Sequence, residues 1–83
     1  MKVTSDVENK IRANPHVTLA LIVRVRGDLD ANATRMTQMG FTIRRQLRLI
    51  DALAVSGTGA QVEALVKEEW VISVEEDKPV KTS

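Results

Sequence analysis

The sequence predicts an α+β domain: a four-stranded antiparallel sheet with two helices on one face, preceded by a short helix. Three observations predict it. Residues 16–26 (HVTLALIVRVR) form a β-branched, apolar run of strand character. Residues 41–57 contain no proline and are too long for one ordinary strand, so they fold back as two. Two stretches with helical spacing, near 28–39 and 58–69, interrupt the strands at regular intervals.

The elements follow in order. Ser5-Asp6-Val7-Glu8 fits a capping box, with a serine oxygen for a free backbone N–H and a glutamate three residues on to reciprocate. Val7 and Ile11 then lie one turn apart, and Pro15 disfavours helical geometry at Asn14, which predicts a helix over about 5–13. The run 16–26 is apolar on both parities, as suits a central strand, and Gly27-Asp28 closes it. Asp28 or Asp30 caps the next helix, Leu29, Ala33 and Met36 form its buried stripe with Met39 beside them, and Gly40 supplies a left-handed C-terminal cap.

In residues 41–57, Phe41, Ile43, Leu47 and Leu49 share one parity, while Thr42, Arg44, Gln46 and Arg48 share the other. The predicted turn falls at Leu49-Ile50-Asp51, and residues 52–56 continue the second strand of the pair. Thr58-Gly59-Ala60-Gln61 is a second capping box, opening a helix with Val62, Leu65 and Val66 buried and an end near Glu68-Glu69. Residues 70–74 form the last strand, and a polar tail with Pro79 follows. Strand, helix, strand, strand, helix, strand closes most simply as the ferredoxin-like split βαβ arrangement.

Composition narrows the function. A chain of 83 residues has room for one core, which must be aliphatic because the sequence holds one Phe, one Trp and no Tyr. With no cysteine, disulfides, thiolate metal sites and thiol nucleophiles are excluded. Net charge of +1 points to neither nucleic acid nor membrane. Residues 1–50 hold nine Lys/Arg and four Asp/Glu (+5), and residues 51–83 hold three and seven (−4), but these halves interleave in the predicted fold. No apolar run reaches transmembrane length and the start lacks a signal core, so the expectation is a soluble, cytoplasmic chain.

Chemistry has little to work with. His16 has no companions for a triad or metal site, and an exposed position at the start of a strand explains it. Glu75, Glu76 and Asp77 are consecutive in a strand, alternate faces and cannot converge on one ion. Asp51 fits a turn better than an acid catalyst. Gly57-Thr58-Gly59 could hold a phosphate at a helix start, but lacks the dinucleotide and P-loop patterns; a flexible turn into a capped helix is the plainer account. Arg24, Arg26, Arg44 and Arg48 could line the sheet, yet an RNA-binding sheet stacks bases on aromatics that this chain lacks. Trp70 is expected to close the helix before it against the last strand. No enzyme, cofactor or metal is expected.

The second half carries a more specific pattern. Gly40 precedes a basic strand ending in Leu49-Ile50-Asp51-Ala52; a strand of small residues follows; then a helix with Val62 and Leu65; then Trp70-Val71-Ile72-Ser73-Val74-Glu75-Glu76-Asp77. In order and spacing this resembles the propeptide domain of subtilisin-family proteases and the stand-alone inhibitors related to it (peptidase inhibitor I9). The likeness covers residues 17–83 in element order and is sharpest over 40–77. Residues 1–15 have no counterpart in it.

The resemblance implies an inhibitor domain over 16–77, an N-terminal helical extension over 1–15 and an extended tail over 78–83. It also implies protease-binding roles for Glu75, Asp77, Lys78, Pro79, Val80, Lys81, Thr82 and Ser83. Glu75 and Asp77 would cap the N-termini of two protease helices, and the tail would enter the substrate cleft. There Val80 would fill the pocket four residues back from the scissile position, with Ser83 just before it. The same contacts would let the domain assist folding of the protease as an intramolecular chaperone. A Met at the start and no protease domain at the end favour a stand-alone inhibitor, monomeric when free. The alternative is a homo-oligomeric ligand-binding or regulatory domain of the same fold, pairing through its sheet; an RNA-binding module ranks third.

Overall fold

The computed structural model describes residues 2–77. In chain order these form α1 (Ser5–Ala13), β1 (Thr18–Val25), α2 (Leu29–Gln38), β2 (Thr42–Leu47), a 3₁₀ turn (Arg48–Ile50), β3 (Ala52–Thr58), α3 (Gly59–Leu65) and β4 (Val71–Glu76). The strands make one antiparallel sheet in the order β2-β3-β1-β4, the predicted ferredoxin-like topology, with β1 central.

One face of the sheet carries the core. On β1 every odd residue from Leu19 to Val25 is buried. Register places Leu21 against Val55, Val23 against Leu53 and against Val74, so these side chains share that face. They join Leu29 and Met36 of α2, Val62 and Leu65 of α3, and Val7 and Ile11 of α1 in one cluster. The leading helix is therefore built into the same core as the rest of the domain.

Local chemistry sets most boundaries. The Asp28 carboxylate accepts from the Asp30 N–H at the start of α2. At its end Gly40 has φ +96°, Phe41 N–H donates to Met36 O, and Gly40 N–H donates to Thr37 O. That is the Schellman pattern, which a residue with a Cβ adopts only under strain. Thr58 and Gln61 exchange both bonds of the capping box at the start of α3.

The structure corrects four expectations. Ser5 is the first helical residue of α1, not its cap; the cap position is Thr4, without a side-chain bond. Thr4 is held extended because residues 2–4 lie beside β4, with Val3 bridging Val74 in parallel and Thr4 N–H donating to Val74 O. Helix α3 stops at Leu65, and the chain tightens through i→i−3 bonds from Lys67 to Ala64 and Glu68 to Leu65. Strand β4 starts at Val71 and runs on through Glu75 and Glu76. In β2 a bulge between Ile43 and Arg45 shifts the phase. Ile43 opposes Val55 and packs on the core, but Leu47 opposes Ala52 and turns to the other face.

Candidate binding face

Among the described residues no helix lies over the second face of the sheet, and register fixes what it presents. Across the end where β4 finishes, Thr42, Ser56 and Ala20 stand side by side, and Asp77 N–H donates to Ala20 O to complete the row. The middle row is Arg45, Ala54, Ile22 and Glu75; the far row is Leu47, Ala52, Arg24 and Ser73. Ala20, Ala52, Ala54 and Ser56 are the small side chains of this face, with Ile22 and Arg24 of β1 and the residues of β2 standing taller around them. Ala52 and Ala54 are nonetheless fully buried, sealed by these taller neighbours.

Of the residues expected to bind a partner, the structure describes Glu75 and Asp77. Glu75 is exposed on this face opposite Ile22, and Glu76 opposes Leu21 on the core side, so consecutive carboxylates do alternate. The Lys10 ammonium of α1 pairs with Glu76, and the Arg44 guanidinium pairs with Asp77. The small Ala20, Ala54 and Ser56 between β2 and β4 leave room for Arg44 to reach across. Neither pairing was legible from sequence separation, since each joins residues far apart in the chain. Lys78, Pro79, Val80, Lys81, Thr82 and Ser83 lie outside the described residues.

The remaining candidates resolve into local roles. His16 is exposed, and its backbone N–H donates to the Asn14 side chain. The N–H groups opening α3 are already used: Gln61 N–H donates to Thr58 and Ala60 N–H to Pro15 O. Gly59 lies tight against Ile11 and the Pro15 carbonyl, so Gly57-Thr58-Gly59 is a packed junction where β3 passes directly into α3. Asp51 adopts the left-handed conformation, φ 51°, that closes the β2–β3 connection, and its carbonyl accepts from Val25 N–H. The arginines form no single patch: Arg24 is exposed on the open face, Arg44 holds Asp77, and Arg48 pairs with Asp30 of α2. Trp70 packs on the core edge, but its ring lies by α2, with the Arg35 guanidinium 6.0 Å from its centroid. Among the described residues no group of three or more His, Cys, Asp or Glu is arranged to hold a metal ion, and no helix is long and apolar enough to cross a membrane.

Sequence reasoning missed the far end of the sheet. Among the described residues the large hydrophobic side chains left exposed are Leu49, Ile50 and Ile72, with Leu49 fully in solvent at 101%. All three lie toward the end opposite Asp77, on the β2–β3 connection and at the start of β4. Alternation grouped Leu49 with Phe41, Ile43 and Leu47, although the turn predicted at Leu49-Ile50-Asp51 is where the chain does reverse; the 3₁₀ turn there places Leu49 outside. No family model matches the chain, and no curated protein matches it.

Proposed function

We propose that the chain binds and inhibits a subtilisin-like serine protease, with the open sheet face against the enzyme and residues 78–83 in its substrate cleft. The observation that carries the reading is the uncovered face whose last strand delivers Glu75, and then Asp77, immediately before the tail. At the Asp77 end of this face the small Ala20 and Ser56 are partly exposed, which leaves room for a helix to lie against it. Helix N-termini expose unsatisfied N–H groups and a positive dipole end, and carboxylates are their natural complement. Asp77 has acceptor capacity beyond the Arg44 contact, so it can take a partner N–H while Arg44 fixes its orientation. An extended tail next adds to the walls of a protease cleft through main-chain hydrogen bonds. A folded platform holding that tail keeps its product-like end in the cleft and blocks substrate. The same contacts favour the folded protease over its unfolded chain, which extends the proposal to assisted folding.

The test is a titration of the intact chain, and of a version lacking residues 78–83, against a panel of subtilisin-like proteases hydrolysing a chromogenic peptide. Inhibition by the intact chain, sharply weakened by the deletion, is expected. No inhibition across the panel, with a concentration-dependent dimer in sedimentation, would replace this reading with sheet-to-sheet self-association.

A further inference from the structure

We propose that Pro79 is a stop that ends the β1–β4 ladder at Asp77, and so keeps residues 78–83 off the sheet and available to the protease cleft. The inference rests on the reading above and adds to it what holds the tail ready for the enzyme.

Backbone parity along β1 fixes where the ladder would go next. Asp77 N–H donates to Ala20 O and Arg26 N–H donates to Trp70 O, so the even-numbered residues of this stretch turn their N–H and C=O groups toward β4. Val25 N–H donates to Asp51 O, so the odd-numbered ones turn toward β3. Thr18, the first residue of β1, stands opposite Thr58 at a pair of the parity that exchanges no bonds with β3. Its N–H and C=O therefore point to the β4 side, one rung past Asp77, and among the described residues β4 supplies nothing to meet them.

An open strand edge is a template for any segment that can match it, and the nearest segment is the chain's own tail. The register that sets Ala20 against Asp77 continues with Leu19 against Lys78, Thr18 against Pro79 and Val17 against Val80. The surface there is inviting: a depression lined by Ala13, Val17 and Leu19, with Lys10 and Glu76 at its rim, lies beside the edge. Lys78 gains no rung, because Leu19 has the parity that faces β3. The next bonds fall at residue 79, and proline has no N–H to give to Thr18 O and sets a ring where the hydrogen would be. The tail thus meets the edge with its one non-donor at the first rung that counts.

Pro79→Ala in the full chain tests the assignment, with amide hydrogen exchange at Thr18 read by NMR and the inhibition constant measured on a protease that the unaltered chain inhibits. Protection of Thr18 N–H is expected to rise about fivefold or more, the scale of one net backbone hydrogen bond. The inhibition constant is expected to rise by a similar factor, because only the undocked tail is competent to bind. Thr18→Pro added to Pro79→Ala removes the facing donor without touching the β3 ladder, and is expected to return the inhibition constant to within about twofold of the unaltered chain. Unchanged protection in Pro79→Ala overturns the stop, as does a Thr18 N–H already as protected as that of Ile22 in the unaltered chain. An inhibition constant raised by Pro79→Ala and not restored by Thr18→Pro assigns Pro79 to a contact in the cleft and overturns it as well. Absence of inhibition by the unaltered chain overturns the inhibitor reading and the tail's destination, while exchange at Thr18 still decides the stop without a protease.

Discussion

Gly57 and Phe41 make a pair whose coupling follows from geometry. Gly57 lies on the core side of β3, one position beyond the Thr42–Ser56 pairing, and the Phe41 ring folds over it. A Cβ at residue 57 would sit 2.9 Å from Gln61 Oε1 and closer still to Cδ1 and Cε1 of Phe41. Phe41 is 3% exposed, so its ring has nowhere to retreat. Gln61 Oε1 is engaged with the Thr58 N–H, so moving it opens the capping box. Gly57→Ala should therefore cost about 1–3 kcal/mol of overpacking strain. Against this, alanine removes unfolded-state freedom and returns about 0.4–1 kcal/mol. From the mid-values the net expectation is a loss of about 1.3 kcal/mol, which for a urea slope of about 1 kcal/mol/M lowers the midpoint by about 1.3 M. Phe41→Leu shortens the ring and relieves the clash, so in the double variant the two losses should sum to less than their parts by at least about 0.5 kcal/mol. Urea unfolding of the four chains by circular dichroism measures this. A Gly57→Ala midpoint equal to that of the unaltered chain, or strictly additive losses, would refute the reasoning.

Two further outcomes are expected. Asn32 is wholly buried, donating from Nδ2 to Arg26 O and accepting from Arg35 at Oδ1; Asn32→Ala strands that carbonyl and should lower stability by about 1–3 kcal/mol in chemical denaturation. Asp51 at φ 51° tolerates glycine but not a β-branched residue. Asp51→Gly should leave the thermal midpoint near that of the unaltered chain, while Asp51→Val should lower it by an amount corresponding to about 1–2 kcal/mol, and equal midpoints would count against the left-handed turn.

Much of the fold was legible because local and long-range signals agree. The β1 run is apolar on both parities and does become the central strand; Asp28, Gly40, Thr58 and Gln61 each do the capping work their positions announce. What failed was decided by tertiary contact. Ser5 looked like a cap, yet pairing of residues 2–4 with β4 fixes the helix start one residue earlier. Alternation in β2 assumed unbroken register, and the bulge at Ile43/Arg45 exchanges the faces of everything after it. On the candidate face, the alternation of Glu75 and Glu76 could be read from strand geometry alone. The Arg44–Asp77 and Lys10–Glu76 pairs could not, because each depends on which strands and helices become neighbours.

The stretch before α1 has a consequence for how the sheet ends. Outer strands ordinarily expose a ladder of unfilled donors and acceptors that recruits foreign chains. Here Lys2 O takes the N–H of Val74 and the Val74 carbonyl receives Thr4 N–H, so one selvedge is hemmed in part by residues 2–4 of the same chain. The opposite selvedge, β2, is kinked by its bulge and studded with Arg44 and Arg45, a poor template for lengthwise growth. With both hems finished in this way, edge-to-edge growth of the sheet is disfavoured.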